Sequence, residues 1–203
     1  MYGIVNPTPG TLILRYNKDT YTNKMNIFVV DRDPIRAAQM LPDRHVTKMI
    51  LESAQMLSIV YSPHYWDIGE IMKVDGTPFK TAKGAFKKHP CTIWAADSQA
   101  NCAWLLQHAA GLCHEFKLRY GKLHGLTNSL FNAKKLFHKV TGSTILDHLW
   151  VEKFARAMPD DLKFDDSIDD VEAYQRYVST KPWVWDNYLR IPERRPSWLT
   201  QPT

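Results

Sequence analysis

Residues 43–57 read DRHVTKMILESAQML, and the spacing inside this stretch decides how the chain folds. Val46, Met49, Ile50, Ala54 and Leu57, continuing to Val60, recur at steps of three and four. That is the repeat of one buried stripe on a helix. A second row runs beside it: His45, Lys48, Glu52 and Gln55, at steps of three, four and three. These four side chains stand one above another along the same helix. A lysine placed four residues before a glutamate gains only a few tenths of a kcal/mol on an exposed helix, and this is the less favourable order. The row is therefore either an ordinary solvated face or one wall of a site.

Working upstream, Asp33 followed by Pro34 is an N-cap with proline at the first helical position, and predicts a short helix that Pro42 ends. Asp43 is then expected to cap the next helix. Before these lies NIFVVD (26–31), too short for a helix and rich in β-branched residues, which predicts a short strand or a buried extended segment. Met25 precedes it. The polar residues 1–24, with Pro7, Pro9 and Gly10, read as an N-terminal extension.

Downstream, residues 61–88 form a long loop punctuated by Pro63, Gly69, Gly76, Pro78 and Gly84, with lysines crowding its end. Loops of this length are more often functional than decorative. His89-Pro90 opens a second helical stretch, expected to run from about residue 92 to 120, with Trp94, Trp104, Leu105, Leu112, Cys113 and Phe116 in the core and Gly121 as its stop. Further helices are expected over about 128–140 and 144–156. The acidic run at 160–170 reads as a solvated loop leading into a helix capped by Asp169 or Asp170. In the tail, Trp and Tyr alternate with Arg and Lys. The resulting fold class is mostly α: a compact helical domain with a long basic loop, an aromatic C-terminal tail and minimal strand.

Apolar residues make up 44% of the 203 and charged residues 23%, which supports a real core and excludes a disordered chain. The net charge of +5 is unevenly spread. Between Lys73 and Lys139 there are 11 lysines and arginines against three carboxylates. With aromatic residues interleaved, this is the footprint of a nucleic-acid partner. Three cysteines without a CxxC pair point to a reduced, intracellular setting. No apolar run reaches the roughly 18 residues of a membrane span, and no signal-peptide pattern opens the chain. A cytoplasmic protein is expected, in the host cytoplasm if the chain is phage-encoded. The sequence leaves the oligomeric state open.

A second polar row, Asp97, Asn101 and His108, lies on the 92–120 stretch, with His89 just ahead of it. If the two helices pack by their apolar stripes, their polar edges converge on one rim and gather imidazoles, carboxylates and an amine. Neither row carries the adjacent-turn pairs that zinc and di-metal sites favour, so no metal and no cofactor is expected. Cys102 and Cys113 fall on the apolar stripe as small core residues; Cys91 alone lies near the rim. No phosphate-loop or dinucleotide glycine motif is present.

The helix with His45 and Glu52, an Asp-x-His followed by a glutamate seven residues on, resembles the helix bearing the catalytic glutamate in the endonuclease V-like superfamily of pyrimidine-dimer DNA glycosylases. Asp43, Arg44 and Lys48 match its basic start, and His89, Pro90 and Trp94 match the opening of its second long helix. The likeness covers roughly residues 26–120, with a C-terminal region similar to that of a group of uncharacterised phage proteins. It implies a single domain over 25–203, with a glycosylase-like core at 25–140 and C-terminal helices and tail at 141–203.

The likeness also implies an N-glycosylase, with or without abasic-site lyase activity, acting on damaged or modified bases. Glu52 would be the principal acid/base, with His45, Lys48 and His89 around it. Arg44, Gln55, Lys87, Lys88, Asn101, Arg119, Lys122 and Arg176 would contact nucleic acid. In the family the attacking amine is the chain terminus exposed by methionine removal. Here 24 residues precede Met25, and Asn26 does not favour such removal. Lys48 would substitute only if its pKa were lowered; otherwise water does the hydrolysis. Two other readings stand beside this one: modification of a hypermodified base or free nucleotide at the same site, and a non-enzymatic basic adaptor for nucleic acid or protein. The C-terminal Tyr174, Arg176, Tyr177, Lys181, Trp183 and Trp185 either clamp nucleic acid by stacking and charge, or Trp183 and Trp185 anchor the tail to the core, with anchoring favoured.

Overall fold

The computed structural model describes residues 25–147 and 150–201; the N-terminal extension expected over 1–24 lies outside them. Among the described residues there are seven α-helices and no strand, and 53% is helical. The helices are α1 (Pro34–Met40), α2 (Asp43–Val60), α3 (Pro90–Asp97), α4 (Gln99–Tyr120), α5 (Thr127–Thr141), α6 (Asp160–Lys163) and α7 (Asp170–Ser179).

The segment after Met25 is buried and extended but has no strand partner. Side chains take the place of a ladder. Asn26 N–H donates to Glu52 Oε2 at 2.8 Å, Asn26 Nδ2 donates to the Ala157 carbonyl at 2.7 Å, and Gln175 Nε2 donates to the Val30 carbonyl at 3.0 Å. Asn26 Oδ1 also accepts from Ile27 and Phe28 N–H, which turns the chain so that Phe28 adopts φ 39°. Left-handed backbone at a non-glycine residue costs about 1–2 kcal/mol, and here it accompanies a Phe28 ring buried against α2 and α7.

Asp33 caps α1 as expected, its carboxylate accepting from Ile35 and Arg36 N–H. Asp43 does not cap α2. It is the first helical residue, and its buried carboxylate pairs with Arg119 at 3.1 Å and accepts from Leu189 and Arg190 N–H. The capping is done by Asn187, whose carbonyl accepts from Asp43 N–H and whose side chain accepts from Arg44 N–H at 2.8 Å. A residue 143 positions away thus satisfies donors that every helix start leaves open.

The continuous helix expected over 92–120 is two helices. Ser98 at φ −150° breaks it and caps α4, its Oγ accepting from Asn101 N–H at 3.1 Å. The corner is closed by Asn101 Nδ2, which donates to the Trp94 carbonyl. Gly121 at φ 68° ends α4 as expected. The long α4 packs on both α1 and α2 and forms the centre of the molecule. Trp94, Trp104, Leu105, Leu112, Cys113 and Phe116 are all buried.

Residues 61–88 are loop apart from one 3-10 turn, Lys80–Lys83, tied to α2 by a 2.7 Å hydrogen bond between Thr81 and Ser58. The helix expected over 144–156 reduces to a 3-10 turn at Ile145–Asp147, with residues 150–156 irregular. Their backbone groups make tertiary bonds instead: Lys153 carbonyl accepts from Trp94 Nε1, and Phe154 N–H donates to Asp170. The acidic run contains the short α6, and Asp169 caps α7.

The tail 181–201 is strapped across the α1–α2 junction. Glu115, fully buried, receives Arg119 from its own helix and Arg194 from the tail, at 3.1 and 2.9 Å. Tyr188 hydroxyl donates to the Met40 carbonyl at 2.7 Å. The aromatic tail therefore anchors onto the core. Among the described residues no helix is long and apolar enough to cross a membrane.

Candidate active site

Glu52 sits in the middle of α2 with its side chain only 7% exposed. One carboxylate oxygen lies 3.0 Å from Lys48 Nζ, one helical turn earlier, and the other 2.8 Å from the backbone nitrogen of Asn26. Burial raises its pKa above the ordinary carboxylate value, against the opposing pull of Lys48 and the Asn26 N–H. A carboxyl held this way keeps its proton to a higher pH than a solvated one.

One turn before Lys48, His45 is buried with its ring stacked on Phe28 at 4.1 Å and edge-on to Trp183 at 5.2 Å. Its pKa falls to about 3, first through burial and then through the cations Lys181, Lys48 and Arg44. The imidazole is neutral in the native protein, so its part is packing and dipole rather than charge. Its Nδ1 has no hydrogen-bond partner among the described residues.

The tail brings a further amine to this place. Lys181 follows the end of α7, and its Nζ lies 4.1 Å from the Tyr177 ring centre and 5.6 Å from that of Phe28. Burial first, and Lys48 second, lower its pKa to about 8. Arg44 lies over Trp183 at 4.8 Å, and its backbone is held by Asn187. Lys48 thus pairs with Glu52, while Lys181 and Arg44 lie against the rings of Phe28, Tyr177 and Trp183 that surround His45.

Of the residues singled out from sequence, His45, Lys48 and Glu52 come together, with Arg44 exposed and Gln55 half-buried further along α2. The second polar row does not join them. His108 is fully buried, stacked on Trp104 and bonded to the Pro34 carbonyl at 2.9 Å. Asn101 is occupied in the α3–α4 corner, and Asp97 is exposed. His89 caps α3, its Nδ1 accepting from Cys91 N–H. Cys91 beside it is buried and close enough to Glu52 for that carboxylate to help push its thiol up to about 12.

Arg119 is not available to nucleic acid. Its side chain is 1% exposed and bound to Asp43, Glu115 and two backbone carbonyls. Lys87, Lys88 and Lys122 are exposed, and Arg176 is exposed in a pair with Glu172 at 2.6 Å. Asn26 and Phe28 were not legible as site residues, and Lys181 and Trp183 were legible only as part of a tail that clamps nucleic acid or anchors to the core. Nothing in local periodicity relates positions 26 and 181 to position 52.

No curated protein and no solved structure matches the chain. A family model described as pyrimidine dimer DNA glycosylase matches residues 25–127, from the buried segment with Asn26 through the first residue of α5, and so takes in Glu52, Lys48 and His45 but not the tail with Lys181. The match begins at the segment that grips Glu52 and spans just over half of the 203 residues. On that ground the chain belongs to the pyrimidine dimer DNA glycosylase family.

Proposed function

We propose that the protein is a DNA N-glycosylase that removes a damaged or modified base, with Glu52 as its acid/base. The observation that carries this reading is the buried carboxyl of Glu52, held between the Lys48 ammonium at 3.0 Å and the Asn26 nitrogen at 2.8 Å. Family membership implies DNA as the substrate.

Breaking a glycosidic bond needs a proton for the departing base and negative charge opposite the developing oxocarbenium ion. A carboxyl whose proton is retained by burial serves the first need, and after giving up that proton it serves the second. As a carboxylate it can also take the C2′ proton of a ring-opened sugar, which is the lyase step. Lys48, Lys181 and Arg44 offer positive charge to the phosphates of the strand, which position DNA without reading its sequence. A base inside a duplex must leave the stack to reach such a site. The exposed lysines 87 and 88, at the end of the loop that packs on α2, suit the backbone-holding role.

The resemblance assigns the attack on C1′ to a chain-terminal amine. Asn26 N lies 2.8 Å from Glu52 Oε2, at the head of the segment where the family match begins.

The test is Glu52→Gln, whose amide oxygen still accepts from Asn26 N–H. On duplex DNA carrying a cyclobutane pyrimidine dimer, and on a panel of modified bases, single-turnover base release is expected to fall by roughly 10²-fold or more while duplex affinity stays within a few-fold. Equal release by variant and wild type removes Glu52 from the chemistry. A wild-type protein that binds DNA and releases no base from any member of the panel favours the adaptor reading.

A further inference from the structure

We propose that α7, which lies beyond the family match, holds the Asn26 nitrogen against the Glu52 carboxyl, with Tyr174 as the positioning residue. This rests on the reading of Glu52 as the acid/base and names what fixes the partner of its second oxygen. Tyr174 acts through two residues in between.

The chain of contacts is continuous. Tyr174 is fully buried; its hydroxyl donates to the Ala155 carbonyl at 2.6 Å and accepts from Ala157 N–H at 3.3 Å. One hydroxyl thus ties two residues of an irregular segment, whose backbone has no ladder to satisfy it. The Ala157 carbonyl accepts from Asn26 Nδ2 at 2.7 Å, and Asn26 N–H donates to Glu52 Oε2 at 2.8 Å. The same helix clamps the irregular segment at its head, where Phe154 N–H and Arg156 Nε donate to the two oxygens of Asp170, at 2.8 and 2.7 Å. It also grips the far end of the buried segment, where Gln175 Nε2 meets the Val30 carbonyl at 3.0 Å. Residues 26–30 are therefore pinned to α7 at both ends, directly at Val30 and through Ala157 at Asn26.

The side chain at position 26 accepts and donates at once. Its oxygen takes Ile27 and Phe28 N–H, at 2.8 and 3.0 Å, while its amide nitrogen gives to Ala157. A carboxamide does both; a carboxylate would meet the Ala157 carbonyl with a second acceptor. Tied at both atoms, this side chain leaves the Asn26 nitrogen one direction to point. A hydrogen bond to a carboxylate favours its ionised form, and it weakens steeply as distance and angle drift. Without it, Glu52 keeps its proton to higher pH. The other groups facing Glu52 are Lys48 of α2, at 3.0 Å, and Cys91 of α3, which also lies against Tyr174.

The experiment follows the Glu52 carboxyl carbon by NMR as pH is raised, in the full chain, with the resonance assigned by its absence from Glu52→Gln. Tyr174→Phe keeps the ring and removes the hydroxyl. Its Glu52 midpoint is expected to rise by about half a pH unit or more, the effect of losing a hydrogen bond to a charged acceptor. Asn26→Ala should raise it in the same direction. The double variant should shift no further than Asn26→Ala alone, because the two residues are links of one chain. Tyr61→Phe, which takes a buried hydroxyl from the Ala133 carbonyl instead, should leave the midpoint in place. The pH limb of single-turnover base release on dimer-containing DNA should move with the carboxyl.

An unmoved midpoint in Tyr174→Phe overturns the proposal and leaves the glycosylase reading standing. So do additive shifts in the double variant, or an equal shift in Cys91→Ala, which would route the effect through the thiol. If Tyr174→Phe does not fold, Asn26→Ala decides, and an unmoved midpoint there sinks the proposal. Midpoints that move as expected in a protein that releases no base count against the glycosylase reading alone.

Discussion

Two imidazoles in this protein are buried without a proton, and that ties its stability to pH. His45 and His108 take up a proton in the unfolded chain near the ordinary value of 6.5, whereas in the native protein burial holds them at about 3 and about 4. Between those values the unfolded chain binds more protons, so stability rises with pH through the window. The contribution is complete above about pH 6.5 and is lost as pH falls toward 4. At pH 5 each imidazole costs about 2 kcal/mol of stability relative to pH 7.5. Urea unfolding at the two pH values should show the loss, and His108→Gln should shrink the difference by about 2 kcal/mol whatever its absolute stability. A variant with the wild-type difference would contradict this account. Glu52 acts in the opposite sense: its pKa is raised in the native state, so its burial costs stability as pH rises through that raised value.

Among the helices, α1 crosses α4 closely at Gly111. A Cβ on Gly111 would lie 3.0 Å from Ala38 Cβ and 3.2 Å from Ile35 Cδ1. Glycine there lets the two backbones approach, and on that approach depend the His108 bond to the Pro34 carbonyl and the Trp104 bond to the Arg32 carbonyl at 2.7 Å. Gly111→Val forces the helices apart and is expected to destabilise by about 1–3 kcal/mol, the usual cost of overpacking. Chemical denaturation should show a lower midpoint with an unchanged slope. A variant as stable as wild type would mean that α1 shifts freely, and the crossing would not be a fixed support for α2.

Over the molecule, charge is divided by function. Arg119 and Arg194 meet on Glu115 and hold the tail to α4, and Arg156 ties the 150–156 segment to Asp170 of α7 at 2.7 Å. Lys80, Lys83, Lys87 and Lys88 of the loop and Lys134, Lys135 and Lys139 of α5 are exposed and, among the described residues, form no ion pair; Lys73 is paired with Asp75 at 3.1 Å. Such free surface cations release counterions when they meet phosphate, so binding to duplex DNA should weaken steeply with salt. Replacing Lys87 and Lys88 together by glutamine should weaken binding about equally for all sequences and lower the salt slope by about 2. Base release on saturating DNA should not change. An unaltered slope would take the loop out of the DNA-binding surface.

The helical class of the protein, the course of α2 and the row of His45, Lys48 and Glu52 follow from spacing within one element, because a 3.6-residue repeat puts side chains on a face regardless of what lies opposite. Ser98 shows the limit: the apolar repeat runs through it, and its break is made by a cap that pattern alone does not reveal. His108 and Arg119 show another limit, since a polar residue at helical spacing reads the same whether it faces solvent or bonds a carbonyl inside the core. The partners of Glu52 were beyond reach for a related reason. Asn26 lies 26 positions before Glu52 and Lys181 129 after it, and only packing of the buried segment and the strapped tail against α2 brings Asn26 to that carboxyl and Lys181 to the Phe28 ring that His45 stacks on. Local chemistry set which acid stood ready; the tertiary fold decided how dry it is and which nitrogen stands against its second oxygen.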